Sequence, residues 1–238
     1  ADGLINFEIH SKLSTVFSCI SCSRNRFGFY HETNSWQRDV ITHLFFYNIT
    51  SPVYINYNQV ALALGAQILP YEEVAQFFVD YNKLHLAEGE NTELKIVLAP
   101  FCSELGRERE FTADHWVKIL AAKFSDKKIR LYILGGKNDA ARAAELELYL
   151  QQHISTATII NVAGKTTLTE TAKIIRDANG FFSIDSGINH IARLIGGNLQ
   201  ITSFWGPTDP ATRLAPFPNL NETVVYKKLF CSPCVHVV

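Results

Sequence analysis

Residues 181–210 read FFSIDSGINHIARLIGGNLQITSFWGPTDP, and this stretch decides the fold. GFFSID (180–185) is a short apolar run broken by Asp-Ser-Gly, the signature of a strand buried on both faces. SGINHIARLIGG (186–197) is an amphipathic helix closed by glycines. LQITSFWG (199–206) is a second apolar strand, ended by the prolines of the following loop. Strand, helix and strand joined by such short connections form a parallel βαβ unit.

The same alternation extends in both directions. Upstream, KIVLAP (95–100) is a strand, 112–124 a helix with Thr112 as a plausible N-cap, and IRLYILGG (129–136) a strand. Residues 138–153 form an Ala/Leu/Glu-rich helix, TIINVAG (158–164) a strand, and 168–178 a helix opened by TTLTE. Downstream, 207–219 is a loop and ETVVYKK (222–228) a final strand. Such a pattern predicts an α/β fold, a parallel sheet with helices on both faces. Ligands then bind at the carboxyl ends of the strands. The segments to examine are Pro100 to Arg109, Gly135 to Asp139, Gly164 to Thr167, Asp185 to His190 and Gly206 to Asp209.

The first part of the chain is less regular. GLINFE (3–8) reads as a strand, 10–22 as a helix and SRNRFGF as a turn into a short strand. Residues 36–48 show helical periodicity, and 54–64 reads as helix ending at Gly65. Residues 71–86 fit either a strand or a short helix. The polar stretch HLAEGENTEL (85–94) marks a domain boundary, giving domains 1–90 and 91–238.

Composition narrows the class. The chain has 238 residues, 47% hydrophobic and 19% charged, which excludes a disordered or collagenous protein. A net charge of −1 argues against a general nucleic-acid binder. No run reaches the roughly 18–20 apolar residues of a membrane span, and no signal-peptide pattern is present. The chain starts at Ala1 and contains no Met, which predicts a processed product or a fragment. Residues 1–94 carry 5 Lys+Arg against 10 Asp+Glu, and 95–238 carry 17 against 13. Unless this is ordinary surface variation, the second half is the better host for an anion.

The five cysteines are Cys19, Cys22, Cys102, Cys231 and Cys234. Both C-x-x-C pairs lie far outside zinc-ribbon spacing of each other. Cys19 and Cys22 share a helix face and are expected to be buried free thiols. The odd count argues against a disulfide framework and favours a reducing cytoplasm. A metal site built on Cys231, Cys234 and His236 would lack a fourth ligand, so no metal is expected.

Asp185-Ser186-Gly187-Ile188-Asn189-His190 is the sharpest chemical feature. Ser186 and Gly187 open a helix whose first N–H groups are unpaired, which makes an anion site. Gly187 lets a phosphate approach the backbone, and His190, one turn on, can point back to the same ligand. The plain alternative is an ordinary Asp or Ser cap with a half-buried His. Ser103, Arg107 and Arg109 either supply phosphate donors or form a solvated loop. Asn138 or Asp139 either caps a helix or holds a sugar hydroxyl. Loop 206–213 is either a rigid lip over the strand ends or a plain turn. Neither G-x-G-x-x-G nor G-x-x-x-x-G-K-[ST] occurs; Gly164-Lys165-Thr166-Thr167 lacks the upstream Gly of a P-loop.

The combination D-S-G-x-x-H (185–190) with G-P-T-D-P (206–210) resembles the signature region of family 9 glycosyltransferases, the bacterial lipopolysaccharide heptosyltransferases. Further matches are APF…S…Trp116, GGKND…AEL, GKTTLTE, CSPC (231–234) and DGLINFEIHSKLS…RFGF. The resemblance implies a GT-B fold: two Rossmann-like domains, the first incomplete and facing the acceptor, the second holding a nucleotide-diphosphate sugar. Carried across, Ser186, Gly187 and His190 touch the diphosphate and Asp185 the donor sugar. Arg109 stands near a phosphate-binding position that is Lys in relatives, with Ser103 in the same loop. Asn138 or Asp139 holds the ribose, backbone at Lys165 and Thr166 meets the base, and Lys12 faces the acceptor. The family's catalytic Asp, in G-D-x-x-x-x-x-P, is expected upstream of Ala1. The implied reaction is inverting, metal-independent and cofactor-free transfer of a sugar, expected to be a heptose, from a donor such as ADP-heptose. The acceptor is a lipid-linked or core saccharide, nucleic acid is not a partner, and the expected place is the cytoplasm with peripheral contact at the inner membrane. The alternatives are another GT-B nucleotide-sugar enzyme and a non-catalytic nucleotide-sugar-binding fragment.

Overall fold

The parallel sheet expected around residues 181–210 is present and has six strands. The computed structural model describes residues 2–9, 11–31, 37–71, 73–74, 93–217 and 220–234. Within it, contacts divide the chain into two units, Ala1–Pro70 with Ala211–Ala215, and Tyr71–Pro210 with Pro216–Val238. The boundary expected at 90/91 falls on residues outside those described, as does most of 71–86.

The larger unit contains β4 (Leu94–Ala99), α3 (Ala113–Phe124), β5 (Ile129–Ile133), α4 (Ala140–His153), β6 (Ala157–Asn161), α5 (Leu168–Arg176), β7 (Gly180–Ile184), α6 (Gly187–Ile195), β8 (Gln200–Trp205) and β9 (Glu222–Tyr226). The sheet order is β6-β5-β4-β7-β8-β9, and all neighbouring pairs are parallel. The chain winds outward from β4 to β6, returns to the centre at β7 and winds out the other way. The point of reversal lies between β4 and β7, where an open α/β sheet leaves a crevice at its carboxyl end.

Alternation along the strands explains why both faces are covered. In β4, Ile96 and Leu98 pack with Trp116, Leu120, Leu146 and Leu150 of α3 and α4. Val97 and Ala99, on the opposite face, pack with Ile175, Ala192 and Ile195 from the α5 and α6 side. Trp116 is fully buried and meets Phe204 edge-on at 5.7 Å. Thr167 caps α5: its hydroxyl accepts from the Glu170 N–H at 3.3 Å, while Glu170 accepts from the Thr167 N–H at 2.7 Å. That pairing holds the Glu170 carboxyl below its usual range.

The smaller unit contains β1 (Gly3–Ile5), α1 (Lys12–Ile20), β2 (Asn25–Tyr30), β3 (His43–Phe46) and α2 (Val53–Ala63), with a parallel sheet of order β1-β2-β3. A one-turn helix, α7 (Pro210–Arg213), precedes β9 in the chain. Helix α2 ends as expected, with Gly65 at φ +78°.

Two expectations are corrected here. Residues 36–48 do not form a helix over their described part: His43–Phe46 is a strand paired to β2 from Phe27↔His43 to Tyr30↔Phe46. The apolar spacing in that short run suits either period. Phe45 and Tyr47 decide for the strand, since it lets both pack on Phe29, at 6.1 and 5.9 Å between ring centres. The thiols of Cys19 and Cys22 are free but exposed. Helix α1 turns Thr15 and Ser18 inward, with Asn6 Nδ2 donating to Ser14 Oγ at 3.2 Å. Leu13, Val16, Phe17 and Ile20 face outward. The inward stripe of α1 is polar and small, so Cys19 lies off it, and Cys22, at φ 49°, lies beyond the helix end.

Candidate functional site

At the β4/β7 reversal point the larger unit has a cleft of about 720 Å³. Four segments line it: 101–104 after β4, 134–139 after β5, Thr166, Leu168 and Thr171 around the start of α5, and 186–188 at the start of α6. Every one follows the carboxyl end of a strand.

The α6 end carries the chemistry. Ser186 is the N-cap residue, but its hydroxyl makes no capping bond. That Oγ is buried and has no hydrogen-bond partner among the described residues. A Cβ added at Gly187 would meet nothing within 4 Å. The first turn of a helix leaves its N–H groups without intrahelical acceptors. At α6 the Asn189 N–H turns back to Ser186 O at 3.1 Å, while the Gly187 end borders open space, next to an unused hydroxyl. Behind them, Ser183 Oγ donates to Asn189 Oδ1 at 3.0 Å, both residues fully buried, so the turn is braced from within.

Charges around the cleft are largely spent on each other. Arg109 Nη1 donates to the Asp185 carbonyl oxygen at 3.0 Å and to Asp185 Oδ2 at 3.2 Å, and its Nε donates to Gly106 O at 3.1 Å. Arg142, on α4, bonds Glu110 Oε2 at 2.5 Å and Asp139 Oδ1, and stacks over Phe101 at 4.8 Å. The second Asp139 oxygen accepts from the Gly136 N–H at 2.8 Å. The second Glu110 oxygen accepts from the Cys102 N–H at 3.1 Å. The loops after β4 and β5 are therefore tied together by one guanidinium, and those after β4 and β7 by another. An anion entering the cleft meets oriented dipoles and the exposed Lys137, which also lines it.

The expected site residues divide accordingly. Ser103, Asn138, Asp139, Thr166, Ser186 and Gly187 all line the cleft. Arg109 and Asp185 sit behind it, paired with each other. Lys165 reaches back along its strand, its Nζ donating to Asn161 O at 2.9 Å. His190 is half-buried in the first turn of α6 and does not line the cleft. Arg107 is exposed and near Glu104, at 3.8 Å. Lys12 opens α1 in the smaller unit and is exposed. Sequence reasoning missed Arg142 and Glu110. Arg142 sits three residues after Asp139 on a helix, a spacing that suits an ion pair, but nothing in the sequence ties it to Glu110.

Cys102 lines the cleft, and burial pushes its thiol up, with the neighbouring Arg109 opposing the shift. A less ionised thiol reacts more slowly. Iodoacetamide should therefore modify Cys102 several-fold more slowly than exposed Cys19 or Cys22, and a ligand filling the cleft should slow it further. Peptide mass mapping over time reads both effects; equal rates at all three would contradict them.

The model of the family described as "Glycosyltransferase family 9 (heptosyltransferase)" matches residues 34–238. The chain belongs to this family. Among similar members, lipooligosaccharide heptosyltransferase 2 of Haemophilus ducreyi (strain 35000HP / ATCC 700724) is 29% identical, over 64% of this chain and 47% of its own length. The protein of the same description from Haemophilus influenzae (strain ATCC 51907 / DSM 11121 / KW20 / Rd) is 28% identical, over 63% and 46%. The chain thus spans about half the length of the curated relatives it matches. Solved structures agree on the fold. A glycosyl transferase family 9 protein from Veillonella parvula DSM 2008 superposes with a TM-score of 0.63 at 18% identity, over 94% of this chain and 62% of that one. E. coli ADP-heptose lps heptosyltransferase II gives 0.64 at 15%, over 99% and 72%. The two parallel sheets are thus those of the GT-B glycosyltransferases. Among the described residues of this family 9 chain, no helix is long and apolar enough to cross a membrane.

Proposed function

We propose that the larger unit binds the donor of a heptosyltransferase, a nucleotide-diphosphate heptose such as ADP-heptose. Its sugar goes to a lipopolysaccharide core or related saccharide, by inversion and without a metal. The observation that carries this reading is the open start of α6, where Gly187 and a Ser186 hydroxyl with no partner among the described residues border a nucleotide-sized cleft. The E. coli heptosyltransferase WaaC, similar in fold at a TM-score of 0.62, has been solved with ADP-2-deoxy-2-fluoro heptose.

In this reading the diphosphate lies on Ser186 and Gly187, with His190 supporting it from one turn on. Ser103 adds a hydroxyl, and Asp185, paired with Arg109 behind the cleft, holds the turn on which the donor sugar lies. Asp139 is already occupied on both oxygens, so Asn138 takes the ribose. Backbone at Lys165 and Thr166 meets the base, and Lys12 serves the acceptor side. The acceptor hydroxyl loses its proton to a base as it attacks the anomeric carbon. Negative charge then grows on the departing diphosphate, and N–H groups fixed in advance at the α6 start stabilise it without reorganising. The family resemblance assigns that role to the Asp of a G-D-x-x-x-x-x-P turn, a motif that these 238 residues do not contain. Calorimetry with ADP should give a dissociation constant between about 1 μM and 1 mM, the usual range for a substrate, with UDP and GDP weaker. No heat of binding with any of the three would overturn the reading.

A further inference from the structure

Two C-x-x-C pairs occur, and donor binding uses neither. Cys19 lies in the last turn of α1 and Cys22 just beyond its end. Cys231 and Cys234 are placed differently. They follow β9 in a turn closed by the Ser232 N–H donating to Leu229 O at 3.0 Å, and the Leu229 N–H donates to Ser232 Oγ at 3.3 Å. Both thiols are exposed. Cys234 Sγ donates to the Cys231 carbonyl oxygen at 3.0 Å. The Cys234 N–H donates to Pro207 O at 2.7 Å, which fastens this turn to the G-P-T-D-P segment beyond β8. Two exposed sulfurs share one short turn, with Cys234 Sγ 3.0 Å from the Cys231 carbonyl oxygen, a placement that suits exchange chemistry at a C-x-x-C pair.

We propose that Cys231 and Cys234 form a reversible dithiol–disulfide site that exchanges with small-molecule disulfides such as oxidised glutathione. The Cys231 thiolate attacks one sulfur of the incoming disulfide, whose S–S bond breaks. One small thiolate leaves and takes up the proton that Cys231 gave up. Cys234 then loses its proton, attacks Cys231 Sγ and expels the second small thiolate, which is protonated in turn. Two protein thiols and one small disulfide become one protein disulfide and two small thiols, and two electrons pass from the protein to the reagent. The order follows from the geometry: Cys234 Sγ is already engaged, donating to the Cys231 carbonyl oxygen, and the Cys231 thiol is the exposed group left to attack first. Closing the bond fixes the turn whose N–H clasps Pro207, so oxidation stiffens the G-P-T-D-P segment.

The test uses the full chain with Cys19→Ser and Cys22→Ser, which leaves three cysteines of the five. After oxidised glutathione at mildly alkaline pH, one thiol should remain titratable. The mass should fall by two hydrogens with no glutathione attached at Cys231 or Cys234, and dithiothreitol should restore three thiols. Peptide mapping of the unsubstituted chain should join Cys231 to Cys234, and amide exchange at Cys234 should slow several-fold. Three thiols remaining titratable, or a stable glutathione adduct on either cysteine, overturns the proposal. Cys231→Ser should leave any adduct on Cys234 unresolved, which separates ring closure from simple modification. None of these readouts depends on nucleotide binding, so they stand or fall apart from the donor assignment.

Discussion

Gly187→Asp is expected to weaken ADP binding by at least about 100-fold, near 2.7 kcal/mol, while leaving the fold intact. The two effects separate because of where this residue stands. A Cβ there meets nothing within 4 Å, so the new side chain has room in the protein. Asp in the first turn of a helix is favoured by the dipole, by about 0.3–1 kcal/mol, and loses the entropic cost of Gly in a helix. Thermal stability should stay level or rise slightly. The same carboxylate would occupy the position a phosphate needs, and it would add like charge beside it. Calorimetry and a melting curve on one preparation measure both. Unchanged ADP affinity would remove the α6 start from the binding site. Gly187→Ala is the milder comparison and should lose less affinity than the Asp variant.

Arg142→Met should lower stability by about 2 kcal/mol. Breaking a buried ion pair costs about 3–5 kcal/mol, but the Arg142 side chain is 27% exposed, and solvent screening reduces the figure. For a protein of this size that is a fall of roughly 4–8 °C in melting temperature. The loss has a specific cause. Arg142 neutralises Glu110 and Asp139 together, and without it two carboxylates remain close, each still fixing a backbone N–H. Adding Glu110→Gln removes one of those charges, so the double variant should regain part of the loss. Strictly additive losses in the double-mutant cycle would show that the pair does not act through Arg142. Nucleotide affinity should also fall in Arg142→Met, because the loops after β4 and β5 would no longer be held in register.

The sheet was legible because its strands are apolar runs of strand length separated by capped helices. Thr167, Gly187 and the Gly196-Gly197 pair mark element ends that the structure keeps. The reversal between β4 and β7 is a fact of strand order, which periodicity does not encode. The helix expected over 36–48 failed because a four-residue apolar run, Leu44 to Tyr47, fits either period until its partner is known, and the partner, Phe29, is 16 residues away from Phe45. Exposure of Cys19 and Cys22 was hidden for a related reason. Sequence shows which residues share a helix face, but the surrounding fold selects which face turns inward, and here Thr15 and Ser18 are the buried ones. At the cleft, Ser103, Asn138, Asp139, Thr166, Ser186 and Gly187, read from strand ends and helix starts, form part of the lining, whereas Arg109, Lys165, Asp185 and His190 do not. Arg109 shows the limit: its charge was legible, but its attachment to Asp185 depends on two loops 76 residues apart.

The strand order has one further consequence. The larger unit consists of two wings, β4 to β6 and β7 to β9, that share a seam along four residue pairs from Ile96↔Gly180 to Ala99↔Ser183. Asn179 stitches the lower end through two bonds with Lys95, and Arg109 stitches the upper end through Asp185. The cleft opens at that upper end. A nucleotide lying there would touch loops from both wings and act as a third stitch, so occupancy and cohesion of the wings would be thermodynamically linked. Release of the spent nucleotide would then be a mechanical event as much as a chemical one, governed by how readily the seam relaxes at its open end.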